Sequence, residues 1–133
     1  MSNAQHFPAT WIKAIKIASF LLCLSLTTIA LGQTHYTPAQ ARKHIGETAS
    51  VCGRAVNTHV ARSTIGTPTF IDLDRPFPHQ IFAIVIWGND RAKFGRPEIT
   101  YRGKHICVTG KIIRHNGVSY ITATDPSQIW QKR

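Results

Sequence analysis

Five cations, Arg91, Lys93, Arg96, Arg102 and Lys104, fall within one stretch of 14 residues, and only Asp90 and Glu98 lie among them. Such a run can act as a track for phosphates, because each Lys or Arg that meets a phosphate releases a condensed counterion. An ordinary solvated loop has the same composition. Asp72 and Asp74 form one D-x-D pair. On a strand that spacing puts both carboxylates on one face, where they can share a cation. No third carboxylate is close in sequence. The histidines at 35, 44, 59, 79, 105 and 115 are scattered, without the pairing a metal site uses, so no metal is expected. G-x-S-x-G and a Gly-rich phosphate loop before a helix are both missing, and neither Cys52 nor Cys107 has the local pattern of a nucleophile. These residues point away from an enzyme and from any cofactor.

The elements that must carry them belong to a chain of 133 residues, enough for one domain of ordinary size. With 43% hydrophobic and 17% charged residues the composition excludes intrinsic disorder. Lys and Arg number 16 against 6 Asp and Glu, a formal charge of +10. That bias favours a polyanionic partner (nucleic acid, anionic lipid or acidic glycan) or simply solubility.

Residues 1–32 read as a secretory signal. Lys13 and Lys16 precede an apolar run from Ile17 to Leu31, no acid occurs before Glu47, and small residues stand at Ala30 and Gly32. Cleavage after Gly32 would leave residues 33–133, with 14 basic and 6 acidic side chains and a net +8. The run is short for a membrane span, although an uncleaved anchor is the alternative. After cleavage no stable membrane insertion is expected. The expected location is periplasmic or secreted, an oxidising setting in which Cys52 and Cys107 should be bridged.

Thr37 and Pro38 open a short helix over residues 37–45, which Gly46 stops. Five strands are expected after it: 48–61, bent at Gly53; 68–73; 81–87, apolar on both faces; 105–113; and 118–123. Residues 89–94 should form a short helical insert capped by Asn89, and Asn116-Gly117 a tight hairpin turn. Ile129 should fold back onto the core.

Five strands with a helical insert between the third and fourth, and glycines in the first and fourth, describe an all-β, five-stranded OB-fold Greek-key barrel. Val51-Cys-Gly-Arg-Ala-Val56, Phe70-Ile-Asp-Leu73, Phe82-Ala-Ile-Val-Ile-Trp87 and Gly103-Lys-His-Ile-Cys-Val-Thr-Gly-Lys-Ile112 resemble strand signatures of bacterial OB-fold nucleic-acid-binding domains. The closing Asp125-Pro-Ser-Gln-Ile129 is similar to the end of those domains, and the likeness spans about residues 45–130. The exported single-domain form also resembles periplasmic OB-fold stress proteins in architecture.

That resemblance implies a binding face on the second and third strands, flanked by the loops between strands 1–2 and 4–5. With Ile71, Leu73, Phe82, Ile84 and Ile86 inward, Phe70 and Trp87 form an outward aromatic pair; the third strand is apolar on both faces, so the reverse parity is the alternative. Arg62, Arg114, His115 and Tyr120 would border it, and Arg91 and Lys93 would extend its charge. Aromatic stacking in a cationic groove holds single-stranded nucleic acid without reading its sequence. Two other classes compete: a periplasmic protein-interaction or stress-protection module, and a metal-dependent nuclease using Asp72 and Asp74. The resemblance also makes the first and fourth strands antiparallel neighbours, which places Cys52 beside Cys107 on one face.

Overall fold

One strand of 13 residues, β2 (Thr48–Val60), joins the two halves of the molecule in a computed structural model that describes residues 32–133. The first half of β2 pairs antiparallel with β5 (His105–Lys111), and its second half with β3 (Thr69–Leu73). The changeover falls at Gly53 to Asn57, where the register with β3 slips between Ala55 and Asn57. Such a bulge bends a strand and sharpens its twist. Gly53 is needed here for room. A Cβ on it would lie 2.9 Å from both Asp74 Oδ1 and Pro38 Cγ, so the bend can approach its neighbours only without a side chain.

Among the described residues eight strands make one mixed sheet. They are β1 (His35–Tyr36), β2, β3, β4 (Phe82–Ile86), β5, β6 (Ile113–His115), β7 (Val118–Thr122) and β8 (Ile129–Gln131). Their order is β6-β7-β4-β3-β2-β5-β8, with β1 alongside β2. The β1–β2 and β4–β7 pairs are parallel and the others antiparallel. The described residues are mostly β, with a few short helices. The signal segment expected at 1–32 lies, up to residue 31, outside the described residues. Among those described, no helix is long and apolar enough to cross a membrane.

Alternation along the strands builds the core. Val51, Ile71, Leu73, Phe82, Ile84, Ile86, Ile106, Val108 and Ile121 are fully or almost fully buried in a single cluster. Ile129 joins it from the C-terminus. Each buried Val, Leu, Ile or Phe contributes about 1.5–3 kcal/mol, so this inner face supplies most of the stabilisation.

Several expectations shift in detail. The strand count is eight rather than five, because β1 and β8 add edge pairings of two and three residues and the expected fourth strand divides at Ile112. The first helix, α1 (Pro38–Ala41), is shorter than 37–45. Thr37 and Gln40 form a reciprocal capping box at its start, and turn bonds from His44 and Glu47 replace the helix after Ala41. Between β4 and β5 come α2 (Gly88–Arg91), a 3₁₀ turn (Ala92–Phe94) and α3 (Pro97–Thr100). Trp87, not Asn89, is the N-cap of α2, because its carbonyl accepts the Asp90 and Arg91 N–H groups at 2.9 and 3.0 Å. The Asn116-Gly117 hairpin has both residues at positive φ, +49° and +79°, as a tight turn requires.

Cys52 and Cys107 are direct cross-strand partners and are bonded, with Cα atoms 4.0 Å apart. The pair is not left open to solvent. Trp130 of β8 lies opposite Cys107, which is buried, and the His35 ring meets Trp130 edge-on. The bond closes a separation of 55 residues, which in the chain-entropy model stabilises by at most about 4 kcal/mol. Residues 33–133, unfolded without reductant, should therefore show no reactive thiol. Replacing both cysteines by alanine should lower the denaturant midpoint by a comparable free energy. Two reactive thiols would contradict the pairing.

Candidate functional site

The outer face of β2, β3, β4 and β7 lines a cavity of about 500 Å³. Period-two alternation puts its residues there. Along β3 the outward residues are Phe70 and Asp72; along β4 they are Ala83, Val85 and then Trp87, just past the strand end. Cross-strand register places Phe70 beside Val85 and Asp72 beside Ala83, and β7 adds Tyr120 next to Ala83. On the other side His59 of β2 pairs with Phe70, and their rings stack with centroids 5.2 Å apart. Small residues at the centre and aromatics around them leave a hollow rather than a flat sheet.

The walls come from loops. Thr64 and Pro68 approach from the β2–β3 loop, Phe77 and Gln80 from the β3–β4 loop, and His115 and Asn116 from the β6–β7 hairpin. Trp87 is held at the rim by a close backbone contact. A Cβ on Gly66 would lie 3.0 Å from the indole Cε3, and Gly66 has φ +81°, so this position demands glycine twice over.

Four of the residues singled out in the sequence, Phe70, Trp87, His115 and Tyr120, thus meet in one cavity. Arg62 and Arg114 are exposed in the segments that form its walls, one in the β2–β3 loop and the other beside His115. Arg91 and Lys93 do not line it. The Arg91 guanidinium reaches Glu98 at 2.6 Å and donates from Nε to Thr69 Oγ1, while the Lys93 ammonium holds Asp90 at 2.7 Å and the Thr124 carbonyl at 3.2 Å. Burial alone would raise the Glu98 carboxyl, but its own backbone N–H and the Arg91 guanidinium outweigh that and hold it below the usual range. Arg102 is tied as well, donating from Nε to Thr58 Oγ1 at 3.0 Å. The apparent cationic track is therefore largely a strap that fastens the helical insert to β2 and β3.

Asp72 and Asp74 separate. Asp74 accepts the Arg54 N–H at 2.8 Å outside the cavity, whereas Asp72 is 1% exposed on the cavity floor. Among the described residues no group of three His, Cys, Asp or Glu is placed to hold a metal. Asp72 is the group that sequence reading undervalued, along with His59, Phe77 and Gln80. Strand parity carries a signal for Asp72 and His59, since both share a face with Phe70. Phe77 and Gln80 sit in a Pro-broken loop that has no period.

Burial is the main reason the Asp72 carboxyl is pushed above the ordinary aspartate range. The Asn57 amide, donating to Oδ2 at 2.9 Å, together with the His59 ring and the Phe77 N–H, pulls the other way without overcoming it. A carboxyl that holds its proton more tightly when folded costs stability once pH rises past its unfolded value. Asp72→Asn keeps an acceptor for Asn57. It should be more stable than the parent at about pH 7.5 and nearly equal to it at about pH 3, as read by denaturant melts. A parent that is the more stable at neutral pH would contradict the desolvation account.

No protein-family model matches the chain, and no curated protein does. Among solved structures it is similar to a protein from Leishmania major Friedlin assigned as an aspartyl-tRNA synthetase, with a TM-score of 0.53 and 11% identity. The match covers 90% of this chain and 26% of that one, so the chain spans about a quarter of its length.

Proposed function

We propose that the domain is an exported OB-fold Greek-key barrel that binds single-stranded nucleic acid through the aromatic cavity. The fold assignment rests on the five longest strands, which run β7-β4-β3-β2-β5 with a bent first member and a parallel return of β7 onto β4. The likeness to part of an aspartyl-tRNA synthetase, a protein named for an RNA, agrees with that reading. Export follows from the character of residues 1–32 and fits a disulfide-bonded domain.

One observation carries the functional reading. Phe70, Phe77, Trp87 and Tyr120 share a single hollow of about 500 Å³, and Arg62 and Arg114 are exposed in the segments that flank it, on a chain of formal charge +10. Each stacked base contributes about 1–3 kcal/mol, and the arginines meet the phosphates between bases. No general base, nucleophile or metal is required.

Titration of labelled single-stranded DNA at several salt concentrations tests this. With about four phosphates neutralised, log K should fall with log salt at a slope near −3. Trp87→Ala should weaken binding by about 1–3 kcal/mol and leave the slope nearly unchanged, since stacking releases no counterions. Arg114→Ala should instead flatten it. Absence of binding at about 50 mM salt would end the proposal.

A further inference from the structure

We infer that the cavity selects guanine, with Asp72 as the residue that determines the preference. The inference rests on the single-strand binding reading and adds a base identity to it.

A hollow that only stacked bases would be lined by apolar and aromatic groups throughout. This one has an acidic side chain on its floor, 1% exposed, directly across from the small residue Ala83. Beside it in the lining, Gln80 has a buried side-chain oxygen with no donor. Both are acceptors. Asn57 and the Phe77 N–H occupy two sites on the Asp72 carboxylate, and a carboxylate offers about four lone-pair positions, so accepting capacity remains. Leaving the Gln80 oxygen unpaired is costly, and a ligand that presents donors to it and to the remaining Asp72 lone pairs recovers that cost.

The bases differ in what they offer. Guanine alone carries two adjacent donors on its Watson–Crick edge, N1–H and the N2 amine, in the parallel geometry a carboxylate accepts bidentately. Adenine and cytosine present one amine beside an acceptor, and thymine and uracil one N–H flanked by two carbonyls. Each of these would set a lone pair against the Asp72 oxygens. The stacked His59–Phe70 pair and the Trp87 indole can sandwich the purine ring. The Tyr120 hydroxyl and the His115 ring, in the same lining, supply donors for O6 and N7.

Oligonucleotides of identical length that carry one guanine, hypoxanthine or adenine in an otherwise thymine background provide the test. Hypoxanthine lacks only the N2 amine. The guanine oligonucleotide should bind about tenfold or more tightly than the adenine one, with hypoxanthine between them. Asp72→Asn should bring the three within about twofold of one another while the salt slope stays the same. Binding by the parent without preference overturns the guanine assignment and leaves the single-strand reading standing. No binding to any of them overturns both. The parent's comparison of guanine with hypoxanthine decides the matter even if the variant fails to fold.

Discussion

The bend in β2 is the constraint on which the other features depend. A 13-residue strand pairs with β5 over its first half and with β3 over its second, so it commits both halves to one register. That commitment puts Val51 and Ala55 in the core and Cys52 opposite Cys107, and it brings Asn57 to Asp72 and His59 to the cavity. A side chain at Gly53 would collide with Asp74 and Pro38, so the bend, α1 and the β3–β4 loop are positioned by one missing Cβ. The disulfide then locks the first half where the bend begins.

Division of labour across the sheet follows from period two. Inward side chains of β3 and β4 are large aliphatics and an aromatic that fill the core, and outward ones are small, aromatic or, at Asp72, acidic and open a hollow. Rigidity of the inner face makes the outer one useful. Phe70 and Asp72 are fixed by backbone shared with Ile71 and Leu73, so a ligand has little to order on binding.

Much of this was legible from residue types. Strand positions, the capping signal at Thr37-Pro38, the Asn116-Gly117 turn and the adjacency of Cys52 and Cys107 all depend on local chemistry or alternation. Phe82-Ala-Ile-Val-Ile86 is apolar on both faces, so the sequence leaves its parity open; the expected inward set of Phe82, Ile84 and Ile86 is the one in the core, with Val85 on the cavity floor. Failures came where distant residues decide. Arg91 looked free in sequence, but α3 brings Glu98 back against it. Strands of two or three residues, β1 and β8, are too short to show any period.

Asp72 illustrates the same limit with the opposite consequence. At a strand end next to Asp74 it reads as a solvated acid, yet loop residues from beyond β3 and the packing of β7 close around it. Burial raises its carboxyl while Asn57 holds one oxygen in place. Asparagine would keep that hydrogen bond without the charge, so packing alone gives no reason for the acid. A buried carboxylate that lowers stability at neutral pH, in a hollow walled by aromatics, is more economically explained by what it accepts from a ligand than by what it does for the fold.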